Sequence, residues 1–113
     1  MNQKEQPLSP NVFYILLALS QGELHGYAIM QQTRALSDGA VRLGPATLYT
    51  TIQRLLDYGL IEEVEGPDDA DSRRRYYRIS STGSTAVRQE LDRMEAALKK
   101  ARMMRLRTSE PRS

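Results

Sequence analysis

The stretch LGPATLYTTIQRLLDYGLIEE, residues 43–63, contains the pattern that decides the fold. Pro45 suits the first turn of a helix, where no amide donor is needed. Four apolar residues follow at i, i+4, i+7 and i+8 and predict one buried face: Leu48, Ile52, Leu55 and Leu56. Three polar residues lie on the opposite face: Thr47, Thr50 and Arg54. Gly59 supplies the left-handed residue that closes a helix. The stretch therefore predicts an amphipathic helix that ends abruptly at a turn.

Two further helices are predicted upstream of this one. Ser9 followed by Pro10 is typical of a helix start, and the apolar run VFYILLAL predicts a helix to about Ser20 that is buried on nearly all sides. The sequence QGELHG breaks this helix, and a second one is predicted over Gly26–Leu36. The segment AVRL, residues 40–43, is predicted to be a linker or one short strand.

A β-hairpin is predicted after Gly59. The run LIEEVE, residues 60–65, alternates apolar and acidic residues, as a half-buried strand does. The run GPDDADS, residues 66–72, is a turn, and RRRYYRIS, residues 73–80, alternates again. In the second strand, Tyr77 and Ile79 share one face, and the other face consists of Arg74, Tyr76 and Arg78.

A long C-terminal helix is predicted from Thr82 to about Leu106. Its apolar residues step by four and three and form a seam of about two heptads: Val87, Leu91, Met94, Leu98 and Ala101. About 24 residues of helix span roughly 36 Å, which is too long for so small a domain to cover. The seam therefore predicts a partner helix in a homodimer, although packing within one chain is the alternative.

The composition restricts the class of protein. The chain has 113 residues, 27% of them charged, a formal net charge of +2 and no cysteine. These values predict one soluble domain without disulfides, which fits the cytoplasm, and the longest apolar run is too short to cross a membrane. No nucleophile–base pair, Gly-rich phosphate loop or metal cluster is visible, so we expect neither an enzyme nor a cofactor. The one histidine, His25, is predicted to be a packed or capping residue rather than a metal ligand.

Three helices followed by a hairpin describe a helix-turn-helix with a β wing. The major groove of B-DNA is about 12 Å wide and admits one α-helix, which must bury one side and offer polar side chains on the other. The arginines of the hairpin then lie beside that helix, where they can meet phosphates. The predicted DNA-binding residues are Thr47, Tyr49, Thr50, Arg54, Arg73, Arg74, Arg75 and Arg78. For Tyr49, half-buried packing and a phosphate contact are equally good interpretations.

Three motifs in the same order resemble the PadR family of bacterial transcriptional regulators: LHGYAIMQQ, LGPATLYTTIQRLLDYGLIEE and RRRYYRISSTG. The resemblance covers residues 12 to about 105. Ser80 stands where the family pattern has threonine and keeps the hydroxyl. The resemblance implies a winged-helix homodimer held by the C-terminal helix, repression of a neighbouring gene and, in some members, relief by a small molecule. With one C-terminal helix, the chain is similar to the short subfamily.

The sequence thus predicts a mostly α-helical fold with a small β-hairpin. The predicted organisation is a disordered start at 1–8, a winged helix-turn-helix domain at 9–80, a dimerisation helix at 81–106 and a disordered tail at 107–113. The predicted partners are double-stranded DNA, a second copy of the chain and, by resemblance, a small-molecule effector. Two other functions stay open: a winged-helix module that binds protein, and non-specific DNA packaging. The alternative for Thr47 and Thr50 is an ordinary solvated position, because hydroxyls are common on exposed faces. The alternative for the arginines at 73–75 is a solvated turn that balances Asp68, Asp69 and Asp71, and these acids also repel phosphate.

Overall fold

The computed structural model describes residues 7–67 and 74–104. Along the chain it contains α1 (Pro10–Leu19), β1 (Leu24–His25), α2 (Gly26–Leu36), α3 (Pro45–Asp57), β2 (Ile61–Val64), β3 (Tyr76–Ile79) and α4 (Ser81–Met103). The four predicted helices are present, and α2 has the predicted bounds. The two predicted hairpin strands, β2 and β3, pair antiparallel with Glu62 opposite Arg78.

The core is built around α1. Ser9 caps this helix, since its side chain accepts a hydrogen bond from the Val12 amide. The helix is apolar on nearly every side and packs against α2, α4 and β3. Buried residues of α1 and of the other elements form one hydrophobic cluster, which consists of Phe13, Ile15, Leu16, Leu19, Ile29, Leu48, Ile52, Leu55, Ile61, Tyr77 and Val87. Residues of α3 and of the sheet belong to this same cluster, so α3 and the sheet pack on one core.

The sheet differs from the predicted hairpin. It has three strands in the order β1-β3-β2, because Leu24 and His25 pair antiparallel with Tyr77 and Tyr76. Of the two alternatives for residues 40–43, a linker or one short strand, the structure has the linker, and the Val41 amide donates to the Ser37 hydroxyl at 2.9 Å. Two-residue strands depend on a distant partner, which local alternation does not reveal.

The N-terminal boundary also differs from the prediction. Residues 1–8 were expected to be disordered, yet Leu8 is partly buried against the core. Its amide donates to Glu90 Oε1 on α4 at 3.1 Å. Arg93 donates to the same carboxylate oxygen at 2.9 Å. These bonds hold the segment before α1 against α4. Residues 1–6 of the predicted N-terminal segment and the predicted tail at 107–113 lie outside the described residues.

Candidate nucleic-acid interface

The polar face of α3 is exposed, opposite a buried apolar face. Leu48, Ile52 and Leu55 are at most 2% exposed. Thr47, Thr50 and Arg54 are all exposed. The third threonine of the helix has a different environment: Thr51 is buried, and its Oγ1 donates to the Thr47 carbonyl at 2.8 Å. The helix therefore presents two threonines and one arginine on a rigid support.

The turn after α3 joins this helix directly to the wing. Gly59 has φ +75°, a conformation that favours glycine. Its amide donates to the Leu56 carbonyl at 3.0 Å, and the Leu60 amide donates to the Leu55 carbonyl at 2.9 Å. These two bonds form the Schellman motif. The Ser80 hydroxyl donates to the Gly59 carbonyl at 2.6 Å and accepts from the Gly83 amide at 3.0 Å. One side chain thus connects the end of α3 to the start of α4.

Two wing arginines form ion pairs with glutamates of β2. Arg78 Nε lies 2.9 Å from Glu62 Oε1, and Arg75 Nε lies 3.9 Å from Glu63 Oε2. Both arginine side chains are more than half exposed. Ion pairs at such sites are weak, at roughly 0–1 kcal/mol, so a phosphate can compete with the carboxylate. Arg73 lies outside the described residues.

A cleft of about 380 Å³ lies between the wing and the start of α2. We call it the wing cleft, and its lining residues are His25, Gly26, Tyr27, Tyr49, Arg74 and Arg75. It brings together three of the predicted DNA-binding residues: Tyr49, Arg74 and Arg75. Tyr49 is 53% exposed. Its hydroxyl lies so close to Gly26 that a Cβ there would be 2.6 Å from it.

His25 borders the wing cleft and caps α2. Its Nδ1 accepts a hydrogen bond from the Ala28 amide at 3.3 Å, which confirms the prediction of a capping histidine. Its ring also meets the Tyr76 ring edge to face, with centroids 5.3 Å apart. Arg74 Nη1 lies 3.4 Å from Nε2. Partial burial, and secondly the positive charge of Arg74, lower the pKa of His25 from its ordinary value.

The apolar seam of α4 is divided between two environments. The prediction that Val87 belongs to an uncovered seam differs from the structure, because Val87 is 5% exposed and packs in the core of its own chain. Beyond it, Leu91, Met94 and Leu98 are 43–50% exposed, and we call these three residues the α4 stripe. Ala101 is half-buried.

Neither a metal-binding cluster nor a candidate membrane span is found among the described residues. Within 7–67 and 74–104, no three His, Cys, Asp or Glu side chains are grouped so as to hold a metal ion. Over the same residues, no helix combines the length and apolarity that a bilayer crossing requires.

Comparison with known proteins agrees with this geometry. Residues 15–89 match the transcriptional regulator PadR-like family, and this match spans well over half of the 113 residues. The chain belongs to the PadR-like family. The resemblance seen in the three sequence motifs is thereby confirmed, as is the winged-helix fold.

Solved structures share the fold of this PadR-like chain. A transcriptional regulator from Clostridium thermocellum is 29% identical, with a TM-score of 0.66 over 82% of this chain and 87% of that one. A PadR family regulator from Clostridium difficile is 20% identical, with a TM-score of 0.70 over 85% of this chain and 98% of that one. Bacillus subtilis PadR, solved in complex with operator DNA, is 21% identical, with a TM-score of 0.64 over 76% of this chain and 48% of that one.

One curated relative is an uncharacterized protein from Lysinibacillus sphaericus. It is 33% identical over 69 residues, which are 61% of this chain. The match spans 63% of the length of that relative.

Sequence reasoning missed three residues of the wing cleft in this PadR-like chain: His25 as a lining residue, Gly26 and Tyr27. The motif LHGY contains all of them, but only the pairing of β1 with β3 shows that they face the wing. A histidine directly before a glycine at a helix start is the local signal that was available.

Proposed function

We propose that this PadR-like chain is a sequence-specific DNA-binding repressor that acts as a homodimer on a palindromic operator. The observation that carries the proposal is the α3 helix, which is buried along Leu48, Ile52 and Leu55 and exposed along Thr47, Thr50 and Arg54. A helix that enters the major groove needs this division, because it must stay rigid while its polar side chains reach the base edges.

Each of these three exposed side chains of α3 has a role in this proposal. Arg54 donates two hydrogen bonds to one guanine, since a guanidinium matches the O6 and N7 acceptors of that base. Thr47 and Thr50 contact base edges or the methyl group of thymine. Arg75 and Arg78 exchange their glutamate partners for phosphates beside the groove. The wing thereby fixes the register of the helix without reading the sequence.

Selection of bound sequences from a random duplex pool tests the proposal. We expect a palindrome whose half-sites are centred about 34 Å apart or a multiple of that distance. A pool that binds without any enriched sequence favours DNA packaging, and no binding even at low salt favours a protein-interaction module. Transcription in vitro from a promoter that carries the selected operator should fall when the protein is added, and a rise would contradict repression. A small molecule that relieves repression should restore this transcription.

Arg54→Ala is the sharpest test of the recognition helix. We expect the affinity for the selected operator to fall by about 1–3 kcal/mol and the base preference to relax at one position of each half-site. The melting temperature should hardly change, because Arg54 is exposed. Arg88→Ala, which removes the same charge from the exposed surface of α4, is the matched control. A variant that melts early and keeps its base preference would assign Arg54 to the structure instead.

A further inference from the structure

The wing cleft contains two hydrogen-bond donors that face one another. His25 Nδ1 accepts from the Ala28 amide, so this nitrogen carries no proton. A neutral imidazole has one N–H, and in His25 that N–H must therefore be on Nε2. Arg74 Nη1, which can only donate, lies 3.4 Å from this same Nε2. The two groups cannot bond to each other and both remain able to donate to a third group.

A small oxyanion satisfies this arrangement. One oxygen between His25 Nε2 and Arg74 Nη1 accepts from both, and the charge of the guanidinium makes the bond stronger. Arg75 and the Tyr49 hydroxyl line the same cleft and supply further donors. Glu63 opposes an anion, but its nearest contact with Arg75 is a 3.9 Å ion pair between exposed side chains. Two arginines, a histidine N–H and a tyrosine hydroxyl are together suited to a phosphate group.

We infer that the wing cleft binds a phosphate group, and that in the DNA complex this group is a backbone phosphate next to the half-site. The inference rests on the proposed function for the source of the phosphate, because Tyr49 of α3 and Arg75, just before β3, belong both to the cleft and to the proposed DNA surface. The capped, neutral His25 is then a positioning donor, and Arg74 carries the charge.

The single histidine allows a direct test by nuclear magnetic resonance. The imidazole carbon-bound protons of His25 have no counterpart in the chain. Their signals are followed in the full chain at a pH well above the ordinary histidine pKa. Separate titrations use inorganic phosphate, sodium chloride of equal ionic strength, and the selected duplex. We expect phosphate and duplex to shift the signals in the same direction and sodium chloride to leave them unchanged.

Three variants connect the spectrum to affinity. Arg74→Ala should abolish the phosphate-induced shift, weaken duplex binding about tenfold and lower the slope of log affinity against log salt by about 0.9 per half-site. Tyr49→Phe should weaken the binding of both phosphate and duplex without changing that slope, because it removes no charge. His25→Asn keeps an acceptor at the N-cap, but the shorter side chain does not reach the position of Nε2. This variant should therefore also weaken the binding of phosphate and duplex. Arg88→Ala should leave the phosphate-induced shift unchanged.

The outcomes separate this inference from the proposed function. If the duplex binds without shifting the His25 signals, and inorganic phosphate does not shift them either, the inference is overturned and DNA binding still stands. A response to phosphate but not to bound duplex overturns the backbone-phosphate assignment and identifies a site for a free phosphorylated compound. If no duplex binds, the proposed function fails, and the phosphate titration still decides whether the cleft holds an anion.

Discussion

At the scale of single residues, His25 links the stability of α2 to pH. Its Nδ1 must stay unprotonated to cap the helix, and partial burial followed by the charge of Arg74 lowers its pKa. The folded protein therefore binds fewer protons than the unfolded chain near the ordinary pKa of about 6.5. Stability is complete above that pH and is lost as the pH falls through the lowered pKa of the folded state.

The measurement is thermal unfolding between about pH 5 and 8. Protonation should remove the cap, which is typically worth about 1 kcal/mol, and the melting temperature should fall on the acid side. His25→Asn should flatten the curve in this range, because asparagine caps without titrating. Glu90, whose pKa is lowered mainly by the hydrogen bond from Arg93, loses its contribution only in more acidic solution. Identical dependence of the melting temperature on pH in the wild type and in His25→Asn would show that His25 is not its cause.

Tyr49 occupies the space that a side chain at position 26 would need, so only glycine fits there without displacing it. A Cβ at this position would lie 2.6 Å from the Tyr49 hydroxyl oxygen and 3.1 Å from the ring carbon that bears it. Gly26→Ala should therefore displace Tyr49 from the wing cleft and weaken duplex binding. In a double-mutant cycle with Tyr49→Ala, chemical denaturation should show a coupling of about 0.5–3 kcal/mol. Gly44→Ala is the control, because a Cβ at Gly44 meets no atom within 4 Å, and its effect should add to that of Tyr49→Ala.

At the scale of secondary-structure elements, local chemistry predicts α3 well and β1 not at all. Pro45, the apolar spacing and Gly59 each act within a few residues, so the start, the buried face and the end of α3 follow from the sequence. Leu24 and His25 form a strand only because β3 lies beside them. The wing cleft depends on that pairing, and for this reason the sequence predicted Tyr49, Arg74 and Arg75 without predicting that they meet His25.

The junction of α3, the wing and α4 depends on Ser80. Its hydroxyl bonds to Gly59 and Gly83 and holds the two helices in a fixed relation. Ser80→Ala should remove both bonds and lower the free energy of unfolding by about 0.5–2 kcal/mol. Ser80→Thr, which retains the hydroxyl, should keep most of this stability, and Ser81→Ala at the exposed neighbouring position should have little effect. Denaturant titration decides, and equal losses for Ser80→Ala and Ser81→Ala would contradict the role of the junction.

At the scale of the whole molecule, α4 extends beyond the core that it helps to form. The helix has 23 residues, a length of roughly 35 Å. Its first half reaches Val87 and Glu90 in the folded domain, while Leu91, Met94 and Leu98 remain 43–50% exposed. Three large apolar side chains on one side of a helix are typical of an interface between helices. We therefore expect the dimer interface on α4 to begin after Glu90, whereas the seam in the sequence places its start at Val87.

Charged residues in the α4 stripe should separate the two subunits. In Leu91→Glu combined with Leu98→Glu, like charges from two chains meet across the dimer axis and lose their water. Both positions are already half-exposed within one chain, so the helix content of the monomer should persist. Analytical ultracentrifugation should show twice the 12.8 kDa chain mass for the wild type and one chain mass for the variant. Operator binding should weaken by a factor of 10² or more, because the second half-site is no longer held at about millimolar effective concentration.

Ala96→Glu places one charge on the exposed surface away from the stripe and should preserve both mass and affinity. A wild-type monomer that binds one half-site tightly would refute the homodimer and leave the roles of α3 and the wing to be judged on their own variants.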